Sequence, residues 1–395
     1  MPLRSFEPRK STGGRGDGRE GCGMNSRDRV AATFEGEPID RVAKVEYYWN
    51  ETIRQWSLQG LGAVDREELQ YKFGHDLIYF YFDPRFGFQE RVVSEDDEYR
   101  VIFTVDGETL KIPKEESNLI LKSDVAGIPV GYAIHDRRDW ERYKGLYSSG
   151  EWRLCGQSPI SGNWLGGNRN LNEYMQKYEL ARREGKFTCL VFREPYEAVR
   201  EFLGTDGMLT LMAEDPELVR EMLAHNCRIT LEMLDLLRSL GMRMDGYWIW
   251  GDIAYTKGMF FSPSMYRELL MPVHRELFSH LGKYSIYHTD GNLGTCLPLL
   301  AEAGIRGINP IEIKAGNDLF EISDSYGDDL VLTGGIDVTI LSTNVRADIE
   351  KEVSSKLVSL RGKKYIFHSD HSIPPTVNLE SYRYIMDLVD EYGRR

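Results

Sequence analysis

The chain has 395 residues, a formal net charge of −13 and a hydrophobic fraction of 41%, which suit one large domain or roughly two or three average ones. The mean hydropathy is −0.43, and no apolar run approaches the ~18–20 residues of a membrane-spanning helix, which argues against an integral membrane protein. The isoelectric point of about 5.3 argues against a general nucleic-acid binder, because such proteins usually carry a basic surface.

The N-terminal segment 1–23 is rich in Gly, Arg and Ser and is predicted to be a disordered extension of a folded unit at 24–395. No apolar secretory segment is present. The five cysteines are scattered and form no C-x-x-C pair, a pattern typical of a reducing compartment. We therefore expect a cytoplasmic protein.

Short apolar segments alternate with amphipathic helices through most of the remaining chain. Strands are predicted at 42–46, 77–83, 187–192, 245–254, 284–288, 304–311, 330–333 and 365–368. This alternation predicts a parallel sheet, and eight such units close a (β/α)8 TIM barrel, an α/β fold of typically ~250 residues. The excess length is assigned to an insertion at about 84–175.

Alternating residues on both sides of Asp106-Gly107 predict a β-hairpin over 99–112, inside this insertion. The hairpin is either a lid over the active site or a surface elaboration, and the sequence leaves both interpretations open.

Ionisable side chains follow five successive predicted strands, which is where the active site of such a barrel lies. They are Asp252, His288, Asp290, Glu312, Asp337, His368, Asp370 and His371. This arrangement is more informative than any single motif, because it depends on where the strands end. None of the predicted strands is followed by a P-loop, G-x-G-x-x-G or G-x-S-x-G motif, which disfavours phosphoryl transfer, Rossmann redox chemistry and serine hydrolysis.

His288 and Asp290 are two residues apart on an extended segment, so their side chains point the same way. With His371 they form a candidate metal site, since two imidazoles and a carboxylate suit zinc with one open position. The same ligands suit non-haem iron or manganese. The alternative is that both histidines bind a substrate carboxylate or hydroxyl directly.

Three further residues are candidates for substrate binding. Trp248 lies among aromatic residues that line either a planar ligand or the barrel wall, and Arg193 follows a strand, where it forms either an anion clamp or an ordinary salt bridge. Asp337 ends a Gly-Gly-Ile-Asp turn, which brings the backbone close to a ligand or simply connects a strand to a helix.

Several segments resemble the uroporphyrinogen decarboxylase-like superfamily of (β/α)8 barrels. They are 25–42, 262–266, 288–292, 334–337 and 371–374, in the family's order. The resemblance spans about 24–393 and implies a barrel enzyme with a homodimer as its default assembly. The family's decarboxylases remove carboxyl groups from tetrapyrrole acetates without a cofactor, and they bind these carboxylates with an Arg-rich motif after the first strand. Here 46–54 has Arg54 alone, beside Glu46 and Glu51, which suits a polyanion poorly.

The family's methyltransferases move a methyl group between a small compound and a corrinoid protein or a thiol, and many bind zinc through a His-x-Cys pair and a later Cys. The resemblance places His288, Asp290 and His371 at these positions. It thus implies a metal-assisted methyltransferase acting on a small methylated or methoxylated compound. The corrinoid would belong to a separate partner protein, because the Asp-x-His-x-x-Gly signature is absent.

In this interpretation Trp248 packs the substrate ring, and one of three carboxyl groups transfers the proton: Asp252, Glu312 or Asp370. Two alternatives stay open. One is decarboxylation of the uroporphyrinogen type in tetrapyrrole biosynthesis, and the other is a ligand-binding barrel without catalysis.

Overall fold

The computed structural model describes residues 23–64, 66–113, 127–148 and 171–395. The predicted extension at 1–23 lies outside these residues except for Gly23. The strands in chain order are β1 Ala43–Lys44, β2 Leu77–Tyr81, β3 Arg91–Glu95, β4 Tyr99–Phe103, β5 Glu108–Pro113, β6 Ile128–Tyr132, β7 Phe187–Arg193, β8 Gly246–Trp250, β9 Ala254–Tyr255, β10 Gly258–Met259, β11 Ser285–His288, β12 Gly307–Asn309, β13 Val331–Thr333 and β14 Tyr365–Phe367.

The helices in chain order are α1 Ser26–Glu35, α2 Asn50–Trp56, α3 Arg66–Lys72, α4 Arg137–Tyr143, α5 Leu171–Arg183, α6 Pro195–Leu203, α7 Thr205–Glu214, α8 Pro216–Ser239, α9 Pro263–Met265, α10 Met271–Leu281, α11 Cys296–Ala303, α12 Leu319–Tyr326, α13 Val338–Leu341, α14 Arg346–Ser359 and α15 Leu379–Tyr392. Among the helices described, none combines the length and the apolar character needed to cross a bilayer.

Eight strands form one parallel sheet in the order β1-β14-β13-β12-β11-β8-β7-β2. The two end strands meet, because the backbone N–H of Asp76 donates to the carbonyl of Lys44 at 2.8 Å. The predicted (β/α)8 barrel is therefore confirmed, with each predicted barrel strand present.

Asp76 holds this closure at the N-terminal end of the barrel. Its buried carboxylate accepts the backbone N–H of Lys44 at 2.9 Å and pairs with Arg29 at 2.7 Å and Arg41 at 2.8 Å. Burial alone would raise the pKa of Asp76, but the two guanidinium groups outweigh it and the pKa lies below its usual range.

Helix boundaries follow local sequence chemistry. The long helix α8 begins after Asp215, whose carboxylate accepts the backbone N–H of Leu218, with Pro216 in the first turn. Ser262 caps α9 in the same way by accepting the backbone N–H of Met265. Asp-Pro and Ser-Pro pairs are typical of helix starts, because the first residue caps the helix and proline suits its first turn.

Strand alternation divides the apolar side chains between two cores. On β2, Ile78 and Phe80 pack outward against the helices, whereas Tyr79 and Tyr81 point into the barrel. Trp248 on β8 also points inward. The barrel interior thus receives large aromatic rings close to its C-terminal end.

The insertion contains a four-stranded antiparallel sheet in the order β3-β4-β5-β6. Its central pair, β4 and β5, is the predicted hairpin, with Gly107 at a positive φ of 86° in the turn. The turn between β4 and β5 contacts the segment that follows β2 through an ion pair of Asp106 with Arg85 at 3.1 Å. The ring of Tyr132 also lies directly against Gly204, between α6 and α7, where a side chain would not fit.

Candidate metal and substrate site

A cleft opens at the C-terminal ends of the barrel strands, and about 650 Å³ of it, open solvent included, is free of protein atoms. Its described lining is mostly aromatic. The lining residues are Tyr47, Trp49, Tyr79, Tyr81, Val191, Trp248, Trp250, His288, Asp290, Asn309, Pro310, His368, His371 and Ser372. No arginine or lysine is among them.

His288 ends β11 with its imidazole in a defined orientation. Its Nδ1 lies 2.7 Å from Oδ1 of Asn309, the neighbouring residue on β12. The amide of Asn309 is oriented by a second bond, from Nδ2 to the carbonyl of Thr333 at 3.2 Å. Because the amide oxygen accepts, Nδ1 must carry a hydrogen, and the lone pair of a neutral His288 is on Nε2.

Two carboxylates face this Nε2 atom. It lies 3.7 Å from Oδ1 of Asp290 and 3.9 Å from Oδ1 of Asp252, and the ligand atoms of the three residues lie within 4.8 Å of one another. The backbone N–H of Asp290 donates to Asp252 at 2.9 Å and holds the two loops together. Gly251 is needed before Asp252, since a Cβ there would lie 2.3 Å from the Glu194 side chain. We call Asp252, His288 and Asp290 the acidic trio.

The acidic trio has the chemistry of a divalent-metal site. An imidazole with an available Nε2 and two carboxylate oxygens are ligands for zinc, iron or manganese. A metal-binding histidine usually donates its other ring N–H to an acceptor, which is the role of Asn309 here. Burial raises the pKa of Asp252, His288 opposes this, and the charge of Asp290 raises it further. A bound cation would offset the repulsion between the two carboxylates.

Of the predicted metal ligands, the structure brings His288 and Asp290 together and adds Asp252. His371 lines the same cleft, where its ring stacks on Trp49 with centroids 5.9 Å apart, but it is not part of the acidic trio. Asp252 was predicted as a proton-transfer residue rather than as a ligand.

The other two predicted proton-transfer residues bind backbone groups outside the described cleft lining. Glu312 accepts the N–H of Gly291 at 2.8 Å and so supports the loop of Asp290. Asp370 is fully buried and accepts two backbone N–H groups, those of Ile313 and Val338. Burial raises the pKa of Asp370 to about 6. Both carboxyl groups lie where they stabilise loops.

The predicted substrate-binding residues have different positions. Trp248 lines the cleft and packs edge-on against Tyr79 with ring centroids 5.3 Å apart. Arg193 lies outside the cleft lining and pairs with Asp83 at 3.1 Å and with Glu201. Asp337 caps α13 by accepting the backbone N–H of Thr339 at 2.8 Å and also lies outside the lining.

Glu46 and His368 form a buried pair beside the cleft that the sequence did not predict. Nδ1 of His368 donates to the carbonyl of Ser369 at 2.5 Å, and its Nε2 lies 3.4 Å from Oε1 of Glu46. Burial raises the pKa of Glu46 to about 8 and lowers that of His368 to about 4. At neutral pH the carboxyl group is therefore protonated and the imidazole is neutral. The position of Glu46 at the end of the first predicted strand was the available signal.

Residues 198–392 match the model of the family described as uroporphyrinogen decarboxylase (URO-D). Across the fold, the chain is similar to a solved methyltransferase from Methanosarcina mazei, with a TM-score of 0.62 and 14% identity over 93% of this chain and 99% of that one. These findings show a (β/α)8 barrel whose residues 198–392 match the uroporphyrinogen decarboxylase family.

Two curated relatives share part of the chain. The uroporphyrinogen decarboxylase of Pelobacter propionicus is 30% identical over 142 residues, and that of Trichlorobacter lovleyi is 28% identical over 146 residues. Each match covers 35% of this chain and 41% of the relative. The chain therefore matches about two fifths of the length of these relatives.

Proposed function

We propose that the protein is a metal-assisted methyltransferase that moves a methyl group from a small methylated or methoxylated compound to the corrinoid of a separate protein. One observation carries the proposal: the available Nε2 of His288 faces Asp252 and Asp290 at the mouth of an aromatic cleft. The fold shared with the methyltransferase from Methanosarcina mazei is consistent with it.

The acidic trio would hold the ion, and the aromatic lining would hold the substrate. A divalent ion bound there supplies Lewis acidity toward the oxygen that loses its methyl group. When the carbon–oxygen bond breaks, the electron pair stays on that oxygen, which then needs positive charge or a proton. The Glu46–His368 pair beside the cleft would provide the proton, because Asp252 as a metal ligand is ionised. Trp248 and Trp250 exclude water and orient the substrate.

The choice of ligands is tested by metal analysis of the purified protein and by titration calorimetry with zinc and manganese. We expect His288→Ala, Asp252→Asn and Asp290→Asn to lose the metal, and His371→Gln to retain it. If His371→Gln loses the metal and Asp252→Asn retains it, the ligands would instead be His288, Asp290 and His371. A wild-type protein that binds no divalent metal would contradict the metal mechanism.

Uroporphyrinogen decarboxylation is the second candidate, because both curated relatives are named for it. The lack of arginine and lysine in the described cleft lining disfavours it, since a polycarboxylate needs cationic partners. Incubation with uroporphyrinogen and, separately, with methoxylated or methylated compounds plus free cob(I)alamin distinguishes the two. We expect a change in cobalamin absorbance and no coproporphyrinogen. A catalytically inactive ligand-binding barrel would give neither product.

A further inference from the structure

We infer that the hydroxyl groups of Tyr79 and Tyr81 form a polar subsite that receives a second oxygen atom of the substrate, across the cleft from the acidic trio. This inference rests on the proposed function, because it takes the trio as the place where the methyl-bearing oxygen binds. It narrows the substrate class to small aromatic methyl ethers with a further hydroxyl or ether oxygen on the ring.

The two tyrosines are buried, and their hydroxyl groups are unpaired among the described residues. Tyr79 and Tyr81 are 3% and 8% exposed, point into the barrel from β2 and line the cleft. Neither hydroxyl has a hydrogen-bond partner among the residues that the structure describes. Buried hydroxyl groups are almost always bonded, and an unpaired one is costly. In contrast, the hydroxyl of Tyr47 in the same cleft is bonded to Arg66 at 2.8 Å.

Their position complements the acidic trio. In the order β11-β8-β7-β2, the tyrosines stand three strands away from His288, so they face it across the eight-stranded barrel. Trp248 and Trp250 on β8 lie between them, since Trp248 packs on Tyr79 with centroids at 5.3 Å and Trp250 on His288 at 5.2 Å. A ring that packs on these indoles would direct one substituent toward the trio and another toward the hydroxyls.

The chemistry of the subsite is that of two neutral donors. Burial raises the pKa of both tyrosines well above the usual value, so the hydroxyls keep their hydrogens and donate to an oxygen acceptor. Because the described lining has no arginine or lysine, an uncharged oxygen suits the subsite better than a carboxylate.

The test compares binding of two ligand pairs to the full chain: 3- and 4-methoxyphenol against 3- and 4-methylanisole, in which a methyl group replaces the hydroxyl. Quenching of tryptophan fluorescence reports binding without methyl transfer, since Trp248 and Trp250 line the cleft. We expect the wild type to prefer at least one methoxyphenol by about tenfold. Tyr79→Phe and Tyr81→Phe should each reduce this preference, and the double variant should abolish it with methylanisole affinity unchanged.

Tyr287→Phe is the matched control. It also removes a buried hydroxyl without a described partner, but Tyr287 packs outside the barrel, one residue before His288. It should keep the wild-type preference. Thermal melting should show no loss of stability in the Tyr79 and Tyr81 variants, because neither hydroxyl has a hydrogen-bond partner in the part of the chain that the structure describes.

Three results would overturn the subsite: equal binding of both ligand types, no binding of either, or a preference that survives in the double variant. Failure of the proposed function is a separate outcome. A tyrosine-dependent preference without any methyl transfer to cobalamin supports the subsite and contradicts the methyltransferase. Methyl transfer without the preference contradicts the subsite alone.

Discussion

Asn309 determines which nitrogen of His288 is available, so its removal tests the metal site without touching a proposed ligand. The side chain is 1% exposed and makes two bonds, accepting from Nδ1 of His288 at 2.7 Å and donating to Thr333 at 3.2 Å. Asn309→Leu keeps a similar volume and removes both bonds. His288 then loses the acceptor that fixes its tautomer and ring orientation.

We expect Asn309→Leu to weaken metal binding by about 10- to 100-fold, which is the usual effect of losing the hydrogen-bond partner of a metal-binding side chain and corresponds to about 1.4–2.7 kcal/mol. Stability should also fall by about 1–3 kcal/mol, because the Nδ1–H of His288 and the carbonyl of Thr333 are left buried without a partner. Calorimetric titration with zinc measures the affinity, and thermal melting without metal measures the stability.

Asn226→Leu separates the two effects. Asn226 is 2% exposed on α8, where it bonds to Tyr147 and Thr230 far from the acidic trio. Its loss should cost similar stability and leave the metal affinity unchanged. If folded Asn309→Leu binds zinc as tightly as the wild type, Asn309 does not prepare His288 for metal binding.

Two further predictions concern buried carboxyl groups. Folding raises the pKa of Glu46 from 4.5 to about 8, so the contribution of its carboxyl group to stability is greatest below pH 4.5 and is lost as the pH rises to about 8. Over this window Glu46→Gln should melt at a higher temperature than the wild type, and its free energy of unfolding should be higher by up to about 5 kcal/mol. A difference that does not change with pH would contradict this. Folding lowers the pKa of Asp76 below 3.8, so Asp76→Asn should lower the free energy of unfolding by about 3–5 kcal/mol at neutral pH. In acid its melting temperature should approach that of the wild type. Equal melting temperatures at neutral pH would contradict the role of Asp76 in closing the barrel.

The barrel was predictable because each strand is a short apolar segment between helices, a pattern that depends only on neighbouring residues. The outer strands of the insertion were not. All residues of β3 are exposed, and β6 contains exposed Ile128 and Val130, so neither segment shows the alternation of a strand with one buried face. Their pairing depends on the central hairpin, which was predicted.

The site was predictable as a set of residues but not as a set of neighbours. His288 and Asp290 were paired because residues two apart on an extended segment point the same way. Asp252 joins them because β8 lies beside β11, and strand order is a property of the whole sheet. The role of Asn309 depends on the next strand, β12, for the same reason. His371 follows β14, three strands away from β11.

The acidic rim therefore has two kinds of carboxyl group. Loops that follow parallel strands leave backbone N–H groups unpaired at the rim, and Glu46, Glu312, Asp337 and Asp370 each accept at least one of them. These residues account for carboxyl groups after the strands without any ligand. Asp252 and Asp290 differ, because their oxygens converge on Nε2 of His288. Asp290 is the one carboxylate among the described cleft-lining residues, and with Asp252 it places acidity at one point of a mostly aromatic cleft, which favours a single bound cation over a broadly cationic substrate.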